Sequence, residues 1–475
     1  MAEPARVLPL TSPGCGIFDE HHPPAMDLIN QCVHCGFCLP VCPTYALWHE
    51  EMDSPRGRIY LMKMGLEGEA QFDLAYVRHF DRCLGCMACI TACPSGVKYD
   101  KLIEATRAQI ERHYPRALSE RIFRGLVFAF FPYPSRLRLL LPFLWAYQRL
   151  GIRAALRALG LIKFLPPRLR VLEALLPAVS LGMLHSRLPR RMVPPPGAPE
   201  RAAVGRSGLN AAPRRLRIGL MLGCVQRLFF DQVNAATARV LAAEGCEVLI
   251  PPDQQCCGAL MTHAGREEQA LEFARHMIDV FERENVDAVV INAAGCGSNV
   301  KDYAWLLRDD PAYAERAQRF VAKCRDISEL LAELGPQTRR HPLPVKVAVQ
   351  DSCHLQHVQG IRNAPRQLLA AIPGIELMEI ADAALCCGSA GIYNLVQPGP
   401  AEELGERKVE SLLATGAGAV VSGNPGCLLH LKACMQRMGR GVPAFHTIEL
   451  IDASMRGASL PGKQEPRNRK LAQRR

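Results

Sequence analysis

Two cysteine runs near the N-terminus have the residue types and spacing that hold iron–sulfur clusters. Both follow the pattern C-x2-C-x2-C-x3-C-P, and they end at Pro43 and Pro94. In this pattern a tight loop supplies three thiolates, and the x3 step carries the fourth cysteine to the cluster of the other run. The sequence therefore predicts two [4Fe–4S] clusters. Cluster 1 is assigned to Cys32, Cys35, Cys38 and Cys93, and cluster 2 to Cys83, Cys86, Cys89 and Cys42.

Zinc sites and disulfides are the alternatives for these cysteines. Structural zinc sites use two cysteine pairs, often with histidine, and they do not need the x3-C-P step. The first 25 residues lack the basic and apolar regions of a signal peptide, so we expect a reducing, cytoplasmic location. In that compartment the 20 cysteines are expected to be metal ligands or redox groups rather than a disulfide framework.

A helix between the two runs carries two arginines. Ser54 can cap this helix, which places Arg56 and Arg58 in its first turn, close in sequence to cluster 1. We expect these arginines either to pair with cluster charge or a partner's acidic groups, or to be solvated like any helix start. A second helix over residues 73–80 leads into the second run. Residues 1–113 are therefore predicted to form a helical ferredoxin-type domain.

Residues 114–213 form a basic segment that differs from both neighbours. Between Lys101 and Arg217 there are 22 Lys and Arg but only 5 Glu and no Asp. Its uncharged stretches are about ten to thirteen residues long, too short for the roughly 20 residues of a spanning helix. Arginine-rich helices with aromatic residues suit an anionic membrane surface, and the alternative is a connector packed on the other domains. No nucleic-acid-reading motif accompanies the charge.

From residue 214 apolar strands alternate with helices, and the same order repeats from residue 343. Uninterrupted apolar strands between helices predict parallel sheets covered on both faces. The predicted fold class is therefore α+β multidomain. It comprises a helical di-cluster domain (1–113), a basic helical connector with a Pro/Gly linker at its end (114–213), and two repeated α/β domains (214–342 and 343–475), the second with a basic C-terminal tail.

The repeat carries a second cysteine system, in which each copy contains a Cys-Cys-Gly (CCG) sequence. Corresponding cysteines keep register at offsets of 129 to 131 residues, and each follows a predicted strand, where ligands gather in open α/β sheets. Buried structural cysteines are the alternative. As functional thiols they either hold a further iron–sulfur cluster or act as redox groups. The set is Cys224, Cys256, Cys257 and Cys296 in the first copy, and Cys353, Cys386, Cys387 and Cys427 in the second.

Four segments of the chain resemble the iron–sulfur subunit of bacterial glycolate oxidase (glycolate dehydrogenase). They are residues 32–38, 54–61, 93–97 and 386–391, and the similarity extends over about residues 28–450. The wider relatives are the iron–sulfur subunits of glycerol-3-phosphate and lactate dehydrogenases, and heterodisulfide reductase. The resemblance implies two [4Fe–4S] clusters, two CCG domains, and partner subunits that contain FAD and the substrate site.

The implied function is electron transfer from the FAD subunit to a membrane acceptor such as quinone. The FAD subunit oxidises glycolate to glyoxylate, and D-lactate is a further substrate to consider. No catalytic residue is expected in this chain. Together with the basic connector, a membrane acceptor predicts a peripheral position on the cytoplasmic face of the inner membrane. The alternatives are a glycerol-3-phosphate or lactate dehydrogenase subunit, a thiol–disulfide oxidoreductase of the heterodisulfide reductase type, and a zinc-binding interaction protein.

One departure from the heterodisulfide reductase pattern concerns a fifth cysteine in each CCG domain. That family has Cys-x2-Cys at the end of the domain, whereas Ala293 and Asn424 precede Cys296 and Cys427 by three residues here. We therefore expect at most a four-thiolate site in each lobe, and heterodisulfide chemistry is disfavoured.

Overall fold

The structure is a computed structural model in which residues 16–185, 187–199 and 215–460 are described. Most of the predicted linker, from residue 200 to 214, and the basic tail beyond residue 460 lie outside the described residues. In the described part a helical N-terminal region is followed by a helical connector and two α/β lobes with mainly parallel sheets. This arrangement confirms the predicted fold class.

The N-terminal region is a small bundle with the two cysteine runs on its loops. Its central helix begins as predicted, because Ser54 Oγ accepts a hydrogen bond from the Gly57 N–H at 3.0 Å. Met62, Phe80 and Leu102 are fully buried and fill the core. The helices are α1 (Met26–Asn30), α2 (Pro43–Trp48), α3 (Pro55–Leu66), α4 (Leu74–Arg82), α5 (Ala88–Ala92) and α6 (Tyr99–His113).

The helices of the basic connector have apolar residues on two sides, one buried against the first lobe and the other exposed. Val127 and Phe128 are buried against the first lobe, and they share a core cluster with the thiols of that lobe. On the opposite side, Leu118, Ile122 and Leu126 form an exposed stripe with helical spacing. No helix in the described ranges is long and apolar enough to cross a bilayer. The connector helices are α7 (Leu118–Phe130), α8 (Pro134–Arg149), α9 (Ile152–Ala158) and α10 (Pro167–Leu175).

The first lobe is built on a sheet with the strand order β1-β3-β2-β4-β5. All neighbours are parallel except β1, which pairs antiparallel with β3. The strands are β1 (Arg191–Met192), β2 (Arg217–Met221), β3 (Glu247–Leu249), β4 (Ala288–Ile291) and β5 (Cys324–Asp326). The helices are α11 (Gln226–Phe229), α12 (Asp231–Ala243), α13 (Ala259–Thr262), α14 (Glu267–Arg283), α15 (Ala294–Lys301), α16 (Tyr303–Leu306), α17 (Ala314–Lys323) and α18 (Ile327–Leu334).

The second lobe repeats this topology without the antiparallel edge strand. Its strand order, β7-β6-β8-β9, matches β3-β2-β4-β5 of the first lobe, and every pairing is parallel. The strands are β6 (Val345–Val349), β7 (Ile375–Met378), β8 (Ala419–Ser422) and β9 (Ala444–His446). The helices are α19 (Asn363–Ala370), α20 (Tyr393–Val396), α21 (Pro398–Ala414), α22 (Pro425–Arg437) and α23 (Thr447–Arg456).

One apolar core continues from the first lobe into the second. Leu241 of α12 and Leu450 of α23 are both fully buried in it. Beside them, Arg239 donates two hydrogen bonds to the Asp452 carboxylate, at 3.0 and 2.7 Å. The two lobes are therefore packed as one body. Parallel strands bring their carboxyl ends to the same edge of each sheet, which is where the cysteine-bearing loops begin.

The strands β1, β5 and β9 were not predicted. Arg191–Met192 lies at the end of the basic connector and joins the sheet edge, so the first sheet begins before the boundary predicted at residue 214. Strands β5 and β9 have three residues each and include charged or polar side chains (Arg325 and Asp326 in β5, His446 in β9), so they lack the apolar run that predicted the equally short β3.

Candidate metal centres

The four cysteines assigned to cluster 1 line one cavity at the surface of the N-terminal bundle. Cys93, from the second run, completes the loop of Cys32, Cys35 and Cys38, and Cys89 of the neighbouring set also reaches this cavity. The pKa of Cys38 is raised to about 11, first by burial and then by the neighbouring Cys42 and Cys32. Cys35 is exposed, so this site lies at the protein surface.

The four cysteines assigned to cluster 2 are all buried. Burial raises the pKa of Cys86 and Cys89 well above its usual range, and the nearby thiols add to the effect. Cys42 and Cys83 are among those neighbours of both thiols, so the last cysteine of the first run lies with the second run. This crossover follows from Pro43, which begins α2 directly after Cys42.

Each group of four thiols fits the donor set of an iron–sulfur cluster. The described residues contain no disulfide. Thiols become ligands by losing their protons, and the positive charge of a bound metal favours that loss where burial opposes it. The grouping is the one that the assignment requires, and the assignment of individual ligands stays a prediction.

Arg58 is a cation inside the N-terminal bundle. Its side chain is 1% exposed, which excludes, for Arg58, the alternative of an arginine solvated at the helix start. Its guanidinium donates to the backbone oxygen of His79 at 2.6 Å and to Thr44 Oγ1 at 3.2 Å, and it lies 3.4 Å from the Asp53 carboxylate. Burial lowers the pKa of Arg58, but Cys83 and other neighbouring anionic groups outweigh burial and raise it overall.

The charge of Arg58 acts on a predicted ligand of cluster 2. Burial raises the pKa of Cys83, yet Arg58 and then Arg107 more than offset it, and the net pKa is lowered. The Gly85 N–H also donates to Cys83 Sγ at 3.4 Å. Arg56, in contrast, lies at the rim of the cluster 1 cavity, where it bonds the Glu51 carboxylate at 2.6 Å.

In the first lobe, four thiols meet at the carboxyl edge of the sheet. Cys256 and Cys296 donate hydrogen bonds to Cys257, and these bonds lower the pKa of Cys257 well below its usual range. Hydrogen bonds with Cys224 and then Cys257, together with burial, raise the pKa of Cys256 well above its usual range. Within this group the pKa values of Cys256 and Cys257 are therefore shifted in opposite directions.

The second lobe places its four thiols in the same way. A hydrogen bond with Cys353 and burial raise the pKa of Cys386 well above its usual range. A hydrogen bond with Cys387 and burial do the same to the pKa of Cys427. Asn424 donates its side-chain amide to Cys427 Sγ at 3.2 Å. Where heterodisulfide reductases have a fifth cysteine, this lobe thus has a neutral hydrogen-bond donor, and the first lobe has the buried Ala293.

A glycine turn shapes both CCG sequences. The Gly258 N–H donates to Cys256 Sγ at 3.4 Å, and the Gly388 N–H makes the corresponding bond to Cys386. Both glycines have positive φ, +83° and +88°. A Cβ on Gly388 would lie 2.5 Å from the backbone oxygen of Ala401. Glycine is therefore required in the turn that aims a backbone N–H at the sulfur.

A single cavity of about 890 Å³ connects the two CCG sites. Its floor contains all eight thiols of the two lobes, and its wall consists largely of apolar side chains from the connector. The two lobes meet beside it, where the His263 and His354 rings lie 5.0 Å apart. The lining residues contain acidic Glu173 but no Lys or Arg.

Cluster 2 lies next to the second lobe. After burial, Cys386 is the strongest influence on the pKa of Cys86, and Cys86 in turn acts on Cys353. Leu84, Cys86 and Cys386 share one small apolar core. The thiol sites thus form a sequence from the surface at Cys35 through the buried cluster 2 cysteines to the large cavity.

Sequence reasoning did not identify the polar residues that join the three regions. Arg107 donates to the backbone oxygens of Cys83 and Phe80 and to that of His263 (3.0 Å). Glu104 lies 3.4 Å from His263 Nδ1. An Arg and a Glu three residues apart on α6 carry no motif, and their role depends on what packs against that helix.

Comparisons with known proteins agree with these features. A family model described as a 4Fe-4S dicluster domain matches residues 31–97. A model described as a cysteine-rich domain matches twice, at residues 218–301 and 347–432. A third model, the linker region of the glycolate oxidase iron-sulfur subunit, matches residues 119–176. The cofactors are therefore iron–sulfur clusters, including a [4Fe–4S] pair.

Curated relatives cover nearly the whole chain. The probable glycolate oxidase iron-sulfur subunit of Bacillus subtilis is 40% identical over 90% of this chain and 93% of its own length. The glycolate oxidase iron-sulfur subunit of Escherichia coli is 34% identical over 91% and 95%. Lactate utilization protein A of Exiguobacterium is 28% identical, over 51% of this chain and 99% of its own length.

Serine substitutions test the crossover of the cluster ligands. The variants Cys93→Ser and Cys32→Ser should both damage cluster 1, because these two cysteines lie in one thiol group. The variants Cys42→Ser and Cys83→Ser should both damage cluster 2 for the same reason. Each variant should lose about four irons per chain, with matching EPR spectra of the reduced protein within each pair. Cys324→Ser, whose hydroxyl can keep the bond to Phe320 O, is the control. Identical spectra for Cys93→Ser and Cys83→Ser would refute the crossover.

Arg58→Met tests the buried cation. The reduction potential of cluster 2 should fall, because the lost positive charge stabilised the more negative reduced state, while cluster 1 should change less. The free energy of unfolding should fall by about 3–5 kcal/mol, since Asp53 loses a buried partner. EPR-monitored redox titration and chemical denaturation measure the two effects. Arg78→Met, with a half-exposed side chain, is the control. An unchanged cluster 2 potential would contradict the assigned role.

Proposed function

This chain belongs to the family of glycolate oxidase iron–sulfur subunits, and we propose that it carries electrons from a flavin-containing partner to a membrane quinone. In that complex the partner contains FAD and oxidises glycolate to glyoxylate. The observation that carries the proposal is the sequence of thiol sites from the exposed Cys35 to Cys86, Cys386 and the large cavity. Iron–sulfur clusters held at such sites transfer single electrons. The role of this chain is to place them in succession and exclude water between them.

The glycolate site is assigned to the partner on chemical grounds. A hydroxy acid carries a carboxylate, which proteins bind with Arg or Lys and with oriented hydrogen-bond donors. The large cavity has no Arg or Lys in its lining. Its apolar wall would instead disfavour a small anion, because burying an unpaired charge is costly.

Electrons are proposed to enter at cluster 1. Val33 and Phe37, on the loop that carries Cys32, Cys35 and Cys38, are 68% and 65% exposed. Exposed apolar side chains grouped at one place are typical of a protein–protein interface. A flavin subunit docked there would lie beside the thiol site nearest the surface. Tyr60, which is also exposed and packs near His34, extends the same patch.

Electrons are proposed to leave at the connector, which lies on the cytoplasmic face of the membrane. Leu139 and Phe143, one helical turn apart on α8, are both exposed, and the stripe of α7 lies in the same connector. The excess of arginine in this segment favours anionic lipids. A peripheral membrane position accounts for both the apolar exposure and the charge, without a spanning helix.

Glycolate is favoured over lactate as the partner's substrate. The two glycolate oxidase relatives match over nearly their whole length, whereas the lactate utilization relative matches about half of this chain. The connector region, which matches the linker of glycolate oxidase iron–sulfur subunits, supports the same choice.

Reconstitution tests the electron-transfer role. We expect no glycolate oxidation by the isolated chain. With the flavin subunits present, glycolate should reduce its clusters, and D-lactate or glycerol 3-phosphate should do so more slowly. The double variant Val33→Asp/Phe37→Asp should slow this reduction at least about tenfold, because each charge opposes burial in the interface. Leu74→Asp, exposed elsewhere in the same bundle, is the control. Unreduced clusters in the wild-type complex with glycolate would refute the proposal.

Vesicle binding tests the membrane surface. Wild-type protein should co-sediment with phosphatidylglycerol vesicles, and binding should weaken as salt is raised. Leu139→Asp/Phe143→Asp should reduce binding at least about tenfold, because each buried apolar side chain contributes roughly 1.5–3 kcal/mol. Leu74→Asp is again the control. Equal binding of the double variant and the wild type would exclude this surface of α8.

A further inference from the structure

We propose that the 890 Å³ cavity is a binding site for an isoprenoid quinone, with its ring at the thiol floor and His263 as a hydrogen-bonding partner of one quinone oxygen. The inference rests on the proposed function, because that function supplies the electrons that a quinone would accept. It goes further by naming the site, the orientation of the ligand and a residue that contacts it.

The wall of the cavity matches the chemistry of an isoprenoid chain. Its connector side consists mainly of aliphatic and aromatic side chains, among them Val127, Leu140, Leu144 and Leu172. A ligand pocket of this size usually has mainly apolar walls and a few placed polar groups. Apart from Tyr147 and Glu173 of the connector, the polar groups and the thiols are at one end, on the loops and first turns of the two lobes. An amphipathic ligand with a polar ring and an apolar tail fits this polarity.

The cavity opens on the surface assigned to the membrane. Leu126 and Leu169 line it and are also 55% and 43% exposed. Leu126 belongs to the exposed stripe of α7 together with Leu118 and Ile122. The apolar outer surface of the connector therefore continues into the cavity, so that a lipid-soluble ligand would pass from the bilayer without crossing water. This continuity favours a quinone over a water-soluble disulfide.

His263 has free hydrogen-bonding capacity in the cavity wall. Both of its ring nitrogens are buried and make no hydrogen bond within the described structure. Both ring nitrogens of the neighbouring His354 have hydrogen-bond partners: Nδ1 lies 2.6 Å from Ser298 Oγ, and Nε2 lies 2.9 Å from the Gly85 backbone oxygen. A buried polar group without a partner is costly unless a ligand completes it. A quinone oxygen is a suitable acceptor.

The carboxyl group of Glu104 lies next to the His263 ring. Glu104 Oε1 lies 3.4 Å from His263 Nδ1, and Lys101 in the same helix is paired with Asp302. Burial raises the pKa of Glu104 to about 7, so this carboxyl holds a proton for part of the time at neutral pH. Burial and then Arg107 lower the pKa of His263 to about 4, so its ring is neutral. Reduction of a quinone to its quinol takes up two electrons, delivered by the clusters, and two protons. Glu104 passes one proton through His263, and solvent water supplies the other and reprotonates Glu104.

Direct binding of a quinone to the loaded complex is the test. Ubiquinone-1, whose ring is fully substituted and does not add thiols, is titrated calorimetrically into the oxidised protein without glycolate. Wild-type protein should bind one equivalent. Leu140→Trp, which fills the cavity, should weaken binding at least about tenfold, and Leu139→Trp, on the outer surface of the same helix, should leave it within about twofold. His263→Phe should weaken it several-fold, as expected for about one lost hydrogen bond.

Ferricyanide reduction by glycolate separates this inference from the function on which it rests. Leu140→Trp should retain that activity and its iron content while losing ubiquinone-1 binding. If the wild type reduces ferricyanide but binds no quinone, or if Leu140→Trp and Leu139→Trp bind equally, the site is refuted and electron transfer stands. If glycolate reduces no acceptor in the wild-type complex, the proposed function fails, whatever the calorimetry shows.

Discussion

Cysteine thiols buried side by side resist ionisation unless positive charge accompanies them, and this constraint organises the protein around cluster 2. Burial raises the pKa of Cys86 and Cys89. At Cys83 the buried Arg58 outweighs burial. Arg58 is itself tolerated only because Asp53, Thr44 and a backbone oxygen surround it. A cluster bound by these four thiols would supply the rest of the positive charge, so the apolar packing and the arginine suit the predicted ligand set.

Helix α6 extends this arrangement to the two lobes. Arg107 bonds the backbone at Cys83 on one side and at His263 on the other, and Lys101 pairs with Asp302. His354 of the second lobe bonds the Gly85 oxygen in the loop of the second cysteine run. These contacts join the loop of the second cysteine run to both lobes, through Arg107 and Lys101 to the first and through His354 to the second. The distance between successive thiol sites is thus set by polar contacts between regions that are far apart in sequence.

The two lobes share their topology and glycine turns, but their thiol sites differ. The first has Ala293 and the lowered pKa of Cys257, and the second has the Asn424 amide bonded to Cys427. Hydrogen bonds to sulfur and local charge tune the properties of a bound cluster. The thiol site of the second lobe adjoins the predicted cluster 2 cysteines through Cys386. Duplication therefore produced two similar sites in unequal positions, with the shared cavity between them.

The sequence alone determined the motifs, the repeat and most longer elements, because cysteine spacing, turn residues and apolar periodicity are local signals. It predicted α3 from Ser54 and the parallel strands from apolar runs, but missed the three-residue strands β5 and β9. Only the tertiary structure decided that Arg58 is buried, that Cys86 lies beside Cys386, and that eight thiols share a cavity with the connector. These facts depend on packing between distant segments, whose desolvation and contacts no local pattern encodes.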